Sequence, residues 1–167
     1  MEFNALIPEL SVSDINKSKD FYLSLGFEIK YERPENKFVF LQLEDNQIMI
    51  EQINGNWSVG EMHYPFGNGI NLSMRVSDVE AKYNELKSKG IKMFRELEVH
   101  KYRCDDVEYS DSEFLLQDPD GYLLRFNKQH TAISCILSSL NERVFNLISY
   151  KHINPFSHPH NILPSLN

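Results

Sequence analysis

The feature that most constrains this sequence is an internal repeat within its first 127 residues. The segment V-S-D-I at residues 12–15 recurs as V-S-D-V at residues 76–79, an offset of 64 residues. A glycine follows 12 residues after each aspartate, at Gly26 and Gly90. Repetition at a fixed spacing indicates copies of one supersecondary unit, which bury their apolar faces together. The chain is therefore predicted to contain two similar modules.

Each copy begins with the pattern of a strand followed by a helix. Apolar residues alternate ahead of each V-S-D segment, at residues 6–12 and 70–76, as in a half-buried strand. Ser13 or Asp14 can cap the first helix, and Ser77 with Glu80 has the spacing of a capping box for the second. Apolar residues at helical spacing then run up to Gly26 and Gly90, which suit the left-handed helix end.

Three strand-like runs follow each glycine. A polar turn at residues 44–46 joins the last two runs of the first copy, and D-P-D-G at residues 118–121 joins those of the second. Two capped helices with a common local pattern are the alternative, and the repeated strands argue against it. The predicted fold class is α+β, with two βαβββ modules whose strand runs are 27–31, 37–43 and 47–53, then 91–96, 113–117 and 122–127.

The chain changes character after residue 128. Residues 1–127 hold 14 basic and 23 acidic side chains, whereas the remainder is slightly basic. We predict a duplicated domain at 1–128, with modules at about 3–55 and 68–127, and a C-terminal appendage at 129–167. Apolar residues at helical spacing predict a helix over about 131–149, with Thr131 as its cap, and residues beyond Tyr150 are predicted to be disordered.

The charge and composition of the sequence limit the kinds of partner and the compartment that are expected for the protein. The net charge of −7 disfavours nucleic acid and anionic membrane surfaces and favours a cationic or neutral ligand. Cys104 and Cys135 have no metal-binding or redox spacing, so both are expected to be reduced thiols. The N-terminus lacks the pattern of a signal peptide, and a cytoplasmic protein is expected.

These residues resemble the vicinal-oxygen-chelate superfamily, which includes glyoxalase I, extradiol dioxygenases, fosfomycin-resistance enzymes and bleomycin-resistance proteins. The resemblance covers residues 3–127 and rests on the V-S-D-I opening, Phe21-Tyr22, Gly26-Phe27 and the closing D-P-D-G-Y-L-L-R-F. It implies that each module curls its sheet into half of a cleft, with the ligand or metal on the concave face.

Catalytic members of the superfamily hold a divalent metal with one residue from each of four strands. The matching positions here are Ile7, Glu51, Asn71 and Arg125. Isoleucine donates no electron pair, and an arginine side chain is a permanent cation that would repel a metal. The sequence therefore predicts no metal, no cofactor and no catalytic residue at this place.

Period-two alternation predicts instead a polar, largely acidic groove. One face of the strands would carry Glu9, Glu51, Arg75 and Arg125, among others. In the alternative interpretation, Glu9 and Glu51 simply pair with Arg75 and Arg125 to neutralise one another.

Within the superfamily, Ile7-Pro8-Glu9-Leu10, Ile48-Met49-Ile50-Glu51 and Leu123-Leu124-Arg125 are similar to bleomycin-resistance proteins. The resemblance implies a homodimer with exchanged N-terminal strands, in which acidic grooves sequester a cationic glycopeptide antibiotic without making or breaking a bond. Core packing is the alternative role for Phe38 and the neighbouring Phe40, and a polar loop is expected between Tyr102 and Tyr109. The predicted ligand-binding residues are Phe38, Glu51, Trp57, Asn71, Tyr102, Tyr109 and Arg125.

Two other functions remain open on the sequence alone. One is a glyoxalase-like, metal-dependent lyase or isomerase with an atypical site built on Glu51. The other is a metal-free binding protein for a different small molecule, because a fold does not fix a function.

Overall fold

The computed structural model describes residues 2–104 and 107–131, with only the backbone described for Cys104, Val107 and Thr131. Its elements are β1 (Glu9–Val12), α1 (Ile15–Ser24), β2 (Glu28–Arg33), a 3-10 turn (Pro34–Asn36), β3 (Phe38–Leu43), β4 (Asn46–Gln52), β5 (Asn71–Arg75), α2 (Val79–Ser88), β6 (Met93–Cys104), β7 (Val107–Gln117) and β8 (Leu123–Thr131).

The strands form two sheets of four with equivalent topology. Their orders are β1-β4-β3-β2 and β5-β8-β7-β6. The first strand of each module pairs in parallel with its last strand, and the other pairs are antiparallel. The α+β class and the double βαβββ order predicted from the repeat are confirmed.

The helix ends agree with the sequence analysis at three of four places. Asp14 caps α1 by accepting hydrogen bonds from the backbone N–H groups of the first turn. Gly26 and Gly90 adopt φ values of 94° and 75°, the left-handed region in which glycine carries no steric penalty. The predicted capping box of α2 is wrong, because Asp78 is the cap and Ser77 donates to Glu44 instead.

One apolar core lies between the helices and the inner faces of both sheets. Buried residues of the first module, such as Val12, Leu25 and Leu41, belong to the same cluster as Phe114 and Phe126 of the second. Neither module has to bury its apolar face alone. This shared burial explains why the two copies form a single structural unit.

The D-P-D-G turn between β7 and β8 is fixed by its own first side chain. Asp118 accepts hydrogen bonds from the backbone N–H groups of Asp120 (3.0 Å) and Tyr122 (2.8 Å). Gly121 has a φ of 90°, and a Cβ at that position would lie 2.5 Å from the Cβ of Pro65 in the segment that links the modules. The turn therefore requires glycine on two counts, conformation and close packing.

The same turn carries a buried polar contact between the modules. The Tyr22 hydroxyl of α1 donates to Asp118 at 3.0 Å, while Asp120 accepts from the Ser13 backbone N–H (3.1 Å) and the Ser18 hydroxyl (3.3 Å). Burial raises the pKa of Asp118 to about 6, although the hydrogen bonds that it accepts from Tyr122, Tyr22 and Asp120 act in the opposite direction. The D-P-D-G motif thus anchors the second module to α1 in addition to forming a hairpin.

One sequence prediction fails at the distal end of the second sheet. Strands β6 and β7 extend to Cys104 and from Val107, so the segment predicted to be a polar loop between Tyr102 and Tyr109 is mostly a long hairpin. Thr131 is the last residue of strand β8 and pairs with Tyr109. The capping role predicted for the Thr131 side chain, the C-terminal helix and the tail lie outside the described residues.

Candidate ligand-binding site

The face of the first sheet opposite the core gathers aromatic and charged side chains. Strand register places Phe38 of β3 directly opposite Glu51 of β4. From β2, Arg33 lies opposite Phe38, and Tyr31 lies opposite Phe40. Directly opposed residues project from the same side of a sheet, so these five side chains share one face.

Three rings on this face, Tyr31, Phe38 and Phe40, form what we call the aromatic shelf. The Tyr31 ring stacks on Phe38 with a centroid distance of 5.7 Å and on Phe40 with one of 5.3 Å. Phe38 and Phe40 are buried, yet neither belongs to the core cluster that contains their strand neighbours Val39 and Leu41. The alternative of a packing role therefore applies to both phenylalanines, which are fully buried but on the opposite face of the sheet from Val39 and Leu41.

Two carboxylates lie beside the aromatic shelf. Ser11 pairs with Glu51 and Glu9 with Met49, which makes Glu9 and Glu51 diagonal neighbours on adjacent strands. Burial is the main factor that raises the pKa of Glu9, the Glu51 charge raises it further, and Arg33 opposes them. This face therefore has two acidic side chains on adjacent strands, with the Arg33 cation close enough to act on Glu9.

Glu51 has a direct partner from the segment that links the modules. The indole Nε1 of Trp57 donates a hydrogen bond of 2.8 Å to Oε2 of Glu51. Glu51 is only 8% exposed, whereas Trp57 is 62% exposed. Phe38, Glu51 and Trp57, predicted separately from the sequence, are thus brought together.

The corresponding face of the second sheet is held together by paired charges. The Arg125 guanidinium lies 3.3 Å from Oε2 of Glu113 and donates to the Ser73 hydroxyl at 3.0 Å. His100 approaches the other Glu113 oxygen at 3.6 Å. The pairing of Glu51 with Arg125 proposed from the sequence is not what the structure contains, because Glu113 and Trp57 provide the partners.

Asn71 lies at the seam between the two modules. It lines a cavity of about 340 Å³ together with Leu6 and Pro8 of the N-terminal segment and Ser73 of β5. Through Ser73, which bonds Arg125, this position is linked to the polar network of the second sheet. Asn71 and Arg125 therefore form a second group of predicted residues, apart from the aromatic shelf.

Tyr102 and Tyr109 form a third group on the β6–β7 hairpin. Their rings stack with centroids 5.9 Å apart and planes 18° from parallel. Gln129 donates to the Tyr102 hydroxyl at 2.6 Å. The pair lies directly opposite in the ladder, so its stacking follows from strand register.

The sequence analysis missed three residues that shape these faces, namely Tyr31, Arg33 and Glu113. Tyr31 and Glu113 fall inside the predicted strand runs 27–31 and 113–117, where period-two alternation places them on the face opposite the core. Arg33 lies two residues beyond the predicted end of its strand.

The four positions at which catalytic relatives hold a metal do not form a donor set here. Ile7 contributes no donor, and Arg125 is already engaged with Glu113 and Ser73. In the described ranges 2–104 and 107–131, no group of three or more histidine, cysteine or acidic residues is arranged to hold a metal ion. A glyoxalase-type metal does not fit these residues.

The fold and its motifs agree with a comparison against known families. Residues 5–126 match the model of the glyoxalase/bleomycin resistance protein/dioxygenase superfamily. This match spans most of the chain, including both modules. The chain belongs to that superfamily.

Similar solved structures include a member of this superfamily and two proteins related to bleomycin. A superfamily member from Vibrio splendidus is 35% identical, with 73% of this chain and 95% of that chain covered and a TM-score of 0.36. A bleomycin-binding protein solved with bleomycin is 23% identical, with 77% and 100% covered and a TM-score of 0.54. A bleomycin resistance determinant encoded on the transposon Tn5 is 22% identical, with 75% and 98% covered and a TM-score of 0.54.

No match was found among curated proteins. The helices within the described residues are too short and too polar to cross a bilayer.

Proposed function

We propose that this protein binds a cationic, aromatic antibiotic of the bleomycin type without chemical change and confers resistance by sequestering it. The observation that supports this is the pair of carboxylates, Glu9 and Glu51, beside the aromatic shelf. Carboxylates attract an ammonium or amidinium group, and ring faces stabilise both cations and planar heterocycles. An amphipathic cation would use both features at once.

The likeness to a bleomycin-binding protein is a second line of support. It covers all of that protein, and the superfamily to which this chain belongs is named in part after bleomycin resistance proteins. The specific ligand rests on the chemistry of the first sheet rather than on this likeness. A metal-free binder of another amphipathic cation would use the same groups.

The proposal places no catalytic metal in the cleft. Because Ile7 and Arg125 stand at two of the four metal positions, protein purified without a histidine tag should contain no stoichiometric divalent ion. Elemental analysis measures this directly. About one zinc, nickel or iron per chain, with loss of thermal stability on chelation, would favour the lyase alternative.

A homodimer is part of the proposal. In the described chain, β1 pairs with β4 of the same chain. Exchange of N-terminal strands would therefore require the same parallel pairing to form between two chains. Light scattering of the purified protein distinguishes a monomer from a dimer.

Calorimetric titration with metal-free bleomycin tests the function. Glu51→Gln should weaken binding, since it removes the charge but keeps an oxygen that can accept from Trp57. The matched control is Glu80→Gln, which removes an equal charge from the exposed first turn of α2. Loss of binding in the first variant alone supports a site on the first sheet. No saturable binding by the wild type at low salt would exclude the bleomycin assignment.

A further inference from the structure

The aromatic shelf is covered by a cation that belongs to the protein itself. The guanidinium carbon of Arg33 lies 3.9 Å from the centroid of the Phe38 ring, which is cation–π distance. With Tyr31 also stacked on it, Phe38 is only 1% exposed. A ligand can reach the Phe38 ring only if one of these two side chains moves.

The neighbouring carboxylates are engaged in the same way. The Trp57 indole donates a hydrogen bond to Glu51. The positive charge of Arg33 lowers the pKa of Glu9, whereas the charge of Glu51 raises it. The groups that would receive the positive end of a ligand thus already face a positive or donor group from the chain. Register fixes this geometry, because Arg33 lies opposite Phe38, and Phe38 lies opposite Glu51.

We propose that Arg33 is an internal competitor for the cation-binding position formed by Phe38, Glu9 and Glu51. A ligand cation binds by displacing the Arg33 guanidinium from the Phe38 ring. This inference rests on the proposed function of the site as a receptor for organic cations. It makes Arg33 a residue that sets affinity and selects for ligands whose cation interacts with the ring better than a guanidinium does.

The exposure of Arg33 makes this displacement feasible. Its side chain is exposed, and its β2 strand forms an outer edge of the sheet. A cation–π contact at an exposed site is weak enough that its removal should change the affinity of a competing cation by about two- to fivefold. The displaced guanidinium would return to water, where it is well solvated.

Arg33→Gln tests this, because glutamine keeps a long polar side chain but cannot place a cation over Phe38. Lys30→Gln is the matched control, since it removes one positive charge from the same strand, where Lys30 lies near the Glu28 carboxylate instead of over the Phe38 ring. Each protein is titrated calorimetrically with metal-free bleomycin and with benzamidinium chloride, a small planar cation. Thermal melts confirm that both variants remain folded.

The expected result is tighter binding of benzamidinium to Arg33→Gln by about two- to fivefold, with Lys30→Gln close to the wild type. Equal gains in both variants would show that only the overall charge matters and would overturn the proposal. Weaker binding in Arg33→Gln would also overturn it, since Arg33 would then contact the ligand directly.

The two probes separate this inference from the proposed function. If no protein binds bleomycin but Arg33→Gln gains benzamidinium binding, the bleomycin assignment fails and the competitor role stands. If the wild type binds bleomycin and Arg33→Gln gains nothing with either probe, the competitor role fails and the function stands. Fluorescence of Trp57, the single tryptophan, provides an independent signal, because a cation that takes over Glu51 must alter its hydrogen bond.

Discussion

The two modules have the same order of elements, but the sheet faces opposite the core carry different chemistry. On the first sheet, Glu9 and Glu51 adjoin one another and three stacked rings. On the second, the carboxylate of Glu113 is paired with Arg125 and approached by His100. The two modules thus share the topology that defines the fold, while their opposite faces differ: one is suited to binding a cation, and the other has largely paired charges.

The largest expected effect is on stability, and it should differ between a ring of the core and a ring of the aromatic shelf. Phe126→Ala should lower the free energy of unfolding by about 3–5 kcal/mol, because its fully buried ring stacks on Phe114 in the shared core. Phe38→Ala should cost less than half as much, since exposed Arg33 and Tyr31 can close over the space. Urea denaturation measures both. Equal losses would mean that the aromatic shelf is as much part of the core as Phe126.

The contact between the modules should respond to pH through Asp118. Its pKa is raised from 3.8 to about 6, so the folded state binds the proton more tightly than the unfolded chain does. The stability from this group is present below about pH 4 and is lost as the pH rises through 6, a difference of about 3 kcal/mol. Asp118→Asn should remove this component from the pH profile of unfolding.

An exposed carboxylate supplies the control for that experiment. Asp45 lies in the exposed β3–β4 turn of the first module, so Asp45→Asn controls for the loss of one carboxylate away from the buried contact. If the difference in stability between wild type and Asp118→Asn were constant from pH 4 to pH 7, the buried contact between the modules would not titrate as described.

Ligand binding should distinguish the aromatic shelf from the distal tyrosine pair. Phe38→Ala should weaken bleomycin binding about fivefold, because a ring contact contributes about 1 kcal/mol beyond its buried area. Tyr109→Ala should have a smaller effect, since Tyr109 stacks on Tyr102 in a separate group of residues. Dissociation rates measured by surface plasmon resonance test this order. A similar loss in both variants would place both groups in one groove, as a dimer would.

The smallest expected effect is a difference in stability between variants of one carboxylate from each sheet. Glu113→Gln should destabilise the protein by up to about 1 kcal/mol, because it leaves the partly exposed Arg125 without its ion pair. Glu51→Gln should be neutral or slightly stabilising, because it removes repulsion with Glu9. Thermal denaturation at low salt shows whether each substitution raises or lowers the stability of the protein. Destabilisation by Glu51→Gln would indicate that its bond with Trp57 needs the charge.

Sequence patterns predicted elements well wherever they depend on local chemistry. The left-handed glycines Gly26 and Gly90, a cap of α1 at Ser13 or Asp14 and the D-P-D-G hairpin all follow from conformational preferences of single residues or short segments. Strand ends in the distal hairpin were missed, because alternating polar residues at 98–104 carry little apolar signal. Long-range pairing between β6 and β7 stabilises those segments as strands.

The sequence by itself determined the duplicated βαβββ order, the acidic character of the domain and several residues of the candidate site, since these follow from spacing, charge and side-chain type. Only the tertiary structure decided which charges are partners. Glu113 rather than Glu51 pairs with Arg125, and Trp57 reaches Glu51 from the segment that links the modules. The position of Arg33 over Phe38 was likewise set by strand register. Contacts across strands depend on how the sheet is assembled, and no local preference along the chain encodes them.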